Sequence, residues 1–318
     1  MAQATTTQGQ PIQLSDGVSV EPISQRRRAV LRFVRHRMAL TGSIILLSII
    51  AFVTLGTLFY SEQDANFNDT RRRLEAPSRE HLFGTDTIGR DILARSIYGG
   101  QISLLIGITA VIVSVSVGTT IGVLSGFFGG VIDMLLMRLT EAMLSIPSLL
   151  LLLVMAKYFA GRIPQQELLG RSFSGSVIVI IVIIGLTSWM LLSRLIRANV
   201  LSLREAEFVT AARALGATNA RIIFQHILPN TVAPIIVAAT LGVAAAILSE
   251  AYVSFLGMGV QPPTATWGNM LEGSRQYIDN APWLWFFPGM LILLTVMSIN
   301  FVGDGLRDAL DPRSSKII

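Results

Sequence analysis

The chain of 318 residues contains no cysteine. That excludes disulfide frameworks, iron–sulfur clusters, cysteine zinc sites and cysteine nucleophiles together. Histidine is almost as scarce: His36, His81 and His226 lie far apart, and no H-E-x-x-H pattern pairs two of them on one helix, which argues against a zinc-protease site. Lysine is nearly missing too. Among 25 basic residues only Lys157 and Lys316 are lysines, and neither follows a glycine. There is therefore no G-K-[ST] phosphate loop, and the chain is not a P-loop ATPase by itself. Charge as a whole is sparse at 14% of residues, against roughly 25% in a typical soluble domain. With 52% of residues hydrophobic, too little polar surface remains to cover a water-soluble globule of this length. Intrinsic disorder, coiled coil and soluble enzyme are excluded, leaving an integral membrane protein. The net charge of +5 is modest. The arginines flank apolar segments, a pattern for membrane orientation rather than for binding nucleic acid.

What is present is a succession of long apolar runs. Residues 1–24 are polar, without apolar periodicity, and read as a disordered tail. Arg26, Arg27, Arg28, Arg32, Arg35 and Arg37 follow. Met38 to Ser61 then carries no Asp, Glu, Lys or Arg, long enough for a retained signal anchor whose basic flank stays in the cytoplasm. A twin-arginine export signal is the alternative for Arg27 and Arg28, but three more arginines intervene before the core. Ser96 to Ile132 is charge-free over 37 residues, too long for one straight span, with Gly126, Gly129 and Gly130 marking a turn. The spans expected are 38–61, 101–125, 131–156, 174–193, 231–252 and 283–303, an all-α membrane protein with six transmembrane helices. Residues 88–100 read as an amphipathic helix at the membrane surface before the second span. An even number of spans puts both termini on one side, the cytoplasmic one, and 194–230 with them. Six arginines in the external segment 62–95 run against the positive-inside rule.

The 194–230 loop holds the most information. Glu205 to Leu215, including Glu207, Thr210, Ala211, Ala212 and Arg213, is built from helix formers. Gly216 is a C-terminal stop, Thr218 and Asn219 are N-caps for a second short helix, and Pro229 ends that helix or begins the next span. The loop is thus a short helix–turn–helix, too polar for lipid. Ala211, Ala212 and Gly216 give the first helix a small-residue face for close approach to another surface, either the chain's own spans or a partner.

From Thr210-Ala211-Ala212 through Gly216 to His226 and Leu228-Pro229 the stretch resembles the "EAA" loop of ABC-importer permeases, E-A-A-x3-G-x9-I-x-L-P, with Thr210 in place of Glu and His226 in place of Ile. Phe83-Gly84-Thr85-Asp86-Thr87-Ile88-Gly89-Arg90-Asp91-Ile92-Leu93, Phe255-Leu256-Gly257-Met258-Gly259-Val260-Gln261-Pro262-Pro263 followed by Trp267-Gly268, and Gly303-Asp304-Gly305-Leu306-Arg307-Asp308-Ala309-Leu310-Asp311-Pro312 are similar to signatures of C-type subunits in the dipeptide/oligopeptide/nickel permease family. The resemblance covers residues 28–313. It implies a type I ABC-importer permease fold with a cytoplasmic coupling helix. It also implies a division into a cytoplasmic N-terminal tail (1–37), a first span with its external loop (38–100), a permease core (101–306) and a cytoplasmic C-terminal tail (307–318). The implied function is import of dipeptides or oligopeptides by alternating access in an inner membrane. The implied partners are a B-type permease, two ABC ATPases that bind the ATP and Mg, an external solute-binding protein and membrane lipid, with no cofactor on this chain. Glu205, Glu207, Thr210, Ala211, Ala212, Arg213, Gly216, His226, Leu228 and Pro229 are the implied ATPase-coupling residues. Nickel complexes, glutathione or oligosaccharides are alternative solutes. A channel would not need a cytoplasmic coupling loop, and a membrane enzyme lacks a G-x-S-x-G elbow here.

Charges within spans are costly and face an interior or a partner. Asp133, Arg138 and Glu141 fall in the third span, the latter two at i, i+3 spacing, and Glu250 near the outer end of the fifth. Two readings stand: lining of a peptide pathway, or local ion pairs and contacts with headgroups or the partner permease. Asp304, Arg307, Asp308 and Asp311 share one helix face, for contact with another subunit or with solvent. Trp283 and Trp285 read as membrane-interface anchors, while Trp267 and Gln261 read as contacts for a binding protein or a gate at the outer mouth.

Overall fold

The computed structural model describes residues 25–159, 161–168 and 171–311. The polar tail 1–24 and residues 312–318 lie outside them. The described chain is almost entirely helical. Helix α1 (Gln25–Arg35) and helix α2 (Arg37–Leu55) meet at His36, whose Nδ1 accepts from the Ala39 N–H at 3.0 Å as an N-cap. A short α3 (Glu62–Asn66) opens the following segment with a capping box between Ser61 and Asp64. Then come α4 (Ile92–Phe128), α5 (Gly130–Leu144), α6 (Ser148–Phe159), a two-stranded antiparallel hairpin of β1 (Gln166–Leu168) and β2 (Arg171–Phe173), α7 (Ser176–Thr187) and α8 (Trp189–Arg204). Two short helices, α9 (Glu207–Ala214) and α10 (Asn219–Ile222), precede α11 (Leu228–Phe255), α12 (Trp267–Glu272) and α13 (Trp283–Leu310).

Five helical stretches are long and apolar enough to cross a membrane, Arg37–Leu58, Ile92–Phe128, Ser176–Arg204, Asn219–Phe255 and Trp283–Leu310, and a sixth crossing is the bent pair α5–α6. The six expected spans are thus present, with four differences. The surface helix expected at 88–100 is instead the first part of α4, one helix of 37 residues. Its Ile92 and Ile97 are buried inside the protein, so the apolar stripe faces protein rather than lipid. The third span is broken at Pro147 by 81°, because proline has no N–H to continue the helix and disfavours helical backbone at Ile146. Residues 194–204 are not loop but the continuation of the fourth crossing into α8. Finally, α10 does not stop before the fifth span. It runs into α11 through a π turn at Ile223–Ile227, where the Leu228 N–H donates five residues back to Ile223 O. The wider turn relieves the crowding that the Pro229 ring would impose on the carbonyl four residues earlier.

The bundle has two ends. The start of α4, α3, α12 and the start of α13 share one: Trp283 donates from Nε1 to Thr85 O at 3.2 Å, and Trp267 Nε1 to Ser96 O at 2.9 Å. The end of α4, α9, α10 and the start of α11 share the other through an apolar cluster of Val123, Phe127, Val200, Val209, Ile222 and Ile227. Helix α1 packs against the last turns of α13. His36 Nε2 lies 3.5 Å from Asp308, and Arg32 Nη1 donates to Asp311 O at 3.2 Å. The charged face expected at the end of the chain therefore meets the chain's own α1–α2 corner, although its carboxylates stay exposed.

The central contact is α4 against α8. Gly118, Gly122 and Gly126 recur every fourth residue and form one stripe of α4. A methyl group placed at Gly122 would lie 2.6 Å from Ser193 O, and at Gly126 2.9 Å from Arg197 O. The two backbones are in contact along the stripe, the arrangement small residues permit where no water is available to drive helices together. Gly122→Ala is expected to destabilise the folded chain by about 1–3 kcal/mol through overpacking. Gly289→Ala, in α13 where the nearest atom to the new methyl is 3.9 Å away, is expected to be neutral or to stabilise by about 0.4–1 kcal/mol. Thermal unfolding of both variants in detergent checks the pair.

Candidate functional site

Helix α9 ends as its sequence dictates. Gly216 takes φ +83°, a left-handed conformation that side chains resist. Its N–H donates to Arg213 O and that of Ala217 to Ala212 O, both at 3.0 Å. The Thr218 hydroxyl then accepts from the Arg221 N–H at 3.3 Å to start α10. The expected helix–turn–helix is present, with α9 starting at Glu207 rather than Glu205. Glu205 caps α8 instead, and its carboxylate accepts from Arg204 Nε at 3.0 Å.

The small-residue face does not pack on the chain's own spans. Val209 alone among the residues of α9 is buried, at 0% exposure, and it fixes the helix to the bundle like a single peg. Ala211, Thr210, Glu207, Arg213 and Gly216 are exposed, and Ala212 is half-buried. Leu215 projects with 89% of its surface exposed, and Phe208 and Phe224 are exposed near it in sequence. The His226 ring lies 6.2 Å from that of Phe208, which ties the π turn to α9. Leu228 and Pro229 form the first turn of α11, Leu228 half-buried and Pro229 exposed.

Beneath α9 a polar knot joins α4, α5 and α8. The Asp133 carboxylate accepts from Arg197 Nε at 2.5 Å and Nη2 at 2.6 Å, a bidentate pair, and also from the Ser125 hydroxyl. Arg204 donates from Nη1 to Phe127 O at 3.3 Å, placing a cation on the last carbonyls of α4, where the helix dipole favours it. Asp133 is therefore committed to a structural pair, and its partner Arg197 was legible only as a loop charge.

The other three span charges separate. Arg138 and Glu141 pair with each other at 3.1 Å, as their spacing predicts, and both are exposed. Glu250 is buried at 1% exposure, far along the chain from those two, and does not share a lining with them. Its Oε1 accepts from the Ser254 hydroxyl at 2.7 Å, and the Ser254 oxygen in turn accepts from the Val260 N–H at 3.2 Å. Trp267, at 0% exposure, hangs on the same network: its N–H donates to the Ser103 hydroxyl at 3.1 Å. A fully buried indole cannot meet a binding protein, which corrects the expectation for Trp267. Gln261 is half-buried, and its backbone N–H donates to the Ser176 hydroxyl at 2.9 Å.

The 83–93 signature is a clasp. Asp86 accepts from the backbone N–H of Ile88 and Arg90, and from Arg90 Nε at 2.6 Å. Asp91 caps α4 through the Ala94 N–H at 2.8 Å and faces His81 Nδ1 at 2.7 Å. Outside the spans, the Ser61 backbone N–H and hydroxyl both donate to Asp64 and hold its carboxyl below the usual range.

Removing the knot's cation leaves a half-buried carboxylate unpaired. Arg197→Ala is expected to destabilise the chain by about 1.5–3 kcal/mol, and Arg138→Ala, in an exposed pair, by about 0–1 kcal/mol. The order of the two unfolding temperatures in detergent is the check.

Comparison with known proteins agrees with this architecture. The model of the binding-protein-dependent transport system inner membrane component matches residues 118–316. That of the N-terminal TM domain of oligopeptide transport permease C matches residues 24–77. The dipeptide transport system permease protein DppC of Alkalihalophilus pseudofirmus is 44% identical over 92% of this chain and 91% of its own length. The oligopeptide transport system permease protein OppC of Haemophilus influenzae is 37% identical over 96% and 97%, and that of Bacillus subtilis 36% over 95% and 94%. A chain of the MetNI methionine ABC transporter, solved in inward-facing conformations, shares the fold at a TM-score of 0.52 and 20% identity, over 67% of this chain and 95% of that one. A helical membrane bundle of six crossings, matched by that family model over most of its length, identifies this chain as a member of the family of inner membrane components of binding-protein-dependent transport systems.

Proposed function

We propose that this chain is the C-type permease of an ATP-driven importer that carries dipeptides or oligopeptides into the cytoplasm, and that α9 is the helix through which ATP hydrolysis reaches the spans. The observation that carries the coupling role is the state of α9. It is pegged to the bundle by Val209, and its outer side, with Leu215 and Phe208, is exposed among the described residues. An apolar side chain left in water at the tip of a short helix suits a cleft on another protein. The relatives named for dipeptide and oligopeptide transport support the choice of solute. In this reading Glu207, Thr210, Ala211, Arg213 and Gly216 lie at the contact. Glu205, Ala212 and His226 support it from behind, while Leu228 and Pro229 pass its movement to α11.

The partners are a B-type permease, two ABC ATPases that hold the ATP and Mg, and an external solute-binding protein. This chain supplies no ATPase site of its own. In this reading both termini and α9 are on the cytoplasmic side, and α12 and the 83–93 clasp face outward; the positive-inside bias of the arginines before the first span supports it, as does the course of α11 away from α9 and of α13 back from α12. The tail 1–37, the first span with its loop 38–100, the core 101–306 and the tail 307–318 follow as working divisions. Two assemblies of different partners, one open inward and one outward, are biased by nucleotide. Exposed Arg138 and Glu141 face the pathway or the B-type permease, since lipid is a poor environment for them.

Proteoliposomes holding the complete transporter are expected to take up a labelled dipeptide only with ATP and the binding protein. Gly216→Trp strains a left-handed residue by about 1–2 kcal/mol, but a side chain there meets nothing within 4 Å. The spans are therefore expected to keep their unfolding temperature while uptake falls at least tenfold. Unchanged uptake with unchanged ATPase co-purification would remove α9 from the coupling role.

A further inference from the structure

At the end of the bundle opposite α9, the 83–93 clasp, the first turn of α4 and the segment after α12 border an open hollow of about 470 Å3 lined by Arg90, Arg95, Arg275, Asn269, Gln276 and Tyr277. Pockets that hold small ligands run from about 300 to 1,000 Å3. A smaller hollow continues from it past Asp86 and shares Arg90, Arg95 and Asn269.

The charges do not balance. Three guanidinium groups, of Arg90, Arg95 and Arg275, face two carboxylates, those of Asp86 and Glu272. Asp86 is committed to Arg90, whose Nε it receives at 2.6 Å, and to two backbone N–H groups of the clasp. Glu272 is exposed, where solvent screens it. Arg275 stacks its guanidinium 4.1 Å from the centre of the Phe255 ring, which orients it without neutralising it.

Arg95 is the unexplained member. It is buried, with 4% of the residue exposed. Its nearest carboxylate oxygen, on Asp86, is 4.0 Å from Nε, beyond hydrogen-bond reach. Its hydrogen bonds among the described residues both leave from Nη1, to Ala65 O at 3.3 Å and Asn66 Oδ1 at 3.4 Å. A buried guanidinium is costly unless a charge meets it, and here its neighbours on α3 are neutral and its one acid is already taken. The remaining donors have the cavity before them.

We infer that this cavity is a binding site for a carboxylate, which Arg95 receives at its floor, with Arg275 at its mouth. Asn269 only builds the wall: its amide donates to Val260 O at 3.0 Å and Thr264 O at 2.9 Å and accepts from the Thr266 N–H at 3.0 Å, so the arginines alone supply the donors. The carboxylate belongs either to the transported solute or to an acidic side chain of the docked solute-binding protein. The planar fork of arginine suits both alike. The inference concerns a site on this chain and stands whether or not α9 is the coupling helix; only its placement on the outer side rests on the transport reading.

The test is thermal unfolding of the complete detergent-purified transporter, titrated with sodium succinate against sodium chloride at equal ionic strength. Succinate is expected to raise the unfolding temperature in a saturable way that chloride does not match. Arg275→Ala, exposed and outside the bundle core, is expected to weaken the succinate midpoint about tenfold, the loss of one charge-assisted hydrogen bond. Arg95→Gln is expected to abolish the response. Equal shifts with succinate and chloride, or an unaltered succinate midpoint in Arg275→Ala, would overturn the site even where Arg95→Gln fails to fold. Adding the solute-free binding protein separates the sources. If it removes the succinate response, the carboxylate is the binding protein's. If the response survives and a dipeptide competes with succinate, the carboxylate is the solute's. Survival of the response without such competition would overturn both assignments.

Discussion

Everything at the α9 end depends on one contact, the glycine stripe of α4 laid against α8. Between helices in a membrane the hydrophobic effect gives little drive, so close backbone approach and van der Waals contact must hold them. Gly118, Gly122 and Gly126 provide that approach against Trp189, Ser193 and Arg197 of α8. The same contact sets the level at which Arg197 meets Asp133, at which Arg204 meets the last carbonyls of α4, and at which Val200 receives Val209. A bulkier residue at Gly122 would part the two helices, and the floor on which α9 stands would move with them.

The two ends of the bundle are built in contrasting ways. At the α9 end a short helix is fastened by one buried valine, and its outer side is bare. Few buried contacts mean that such an element can shift at little cost relative to the core. At the other end the sequence signatures are absorbed into structure. The 83–93 clasp is fixed by Asp86 and Asp91, and Trp267 is sealed among Ser96, Ser103 and Gly100. Rigid walls there give Arg95 a fixed place at the edge of a cavity. The proposed transport cycle uses both characters, a loose element to receive force and a firm rim to receive solute.

Much of this was legible in the sequence. Scarce charge, six apolar runs and the Thr210–Pro229 spacing led to a helical permease with a helix–turn–helix, and Gly216 and Thr218 end and begin helices as their chemistry requires. Lengths were harder to read. The charge-free run Ser96–Ile132 does turn at its glycines, α4 ending at Phe128 and α5 beginning at Gly130, but the segment set apart before the second span is the start of α4, paired with α3 and α12 rather than with lipid. Pro147 stands in plain view within the third apolar run, but a proline can kink or break a helix, and tertiary packing decides which. Long-range partners left no local trace. Nothing beside Asp133 announces Arg197, 64 residues on, and nothing beside Trp267 announces burial under Ser96 and Ser103. The Gly118–Gly122–Gly126 periodicity, in contrast, was visible as a small-residue repeat and could have predicted the α4 face.

The central claim is that the bare side of α9 meets the ATPase. A photoreactive benzoylphenylalanine in place of Leu215, with a second version in place of Phe59, 81% exposed at the opposite end, tests it in membranes containing the assembled transporter. The account predicts that on illumination the group at position 215 forms an adduct with an ATPase subunit and the group at position 59 does not. An ATPase adduct from position 59, or none from position 215 in a complex that still hydrolyses ATP, would contradict it.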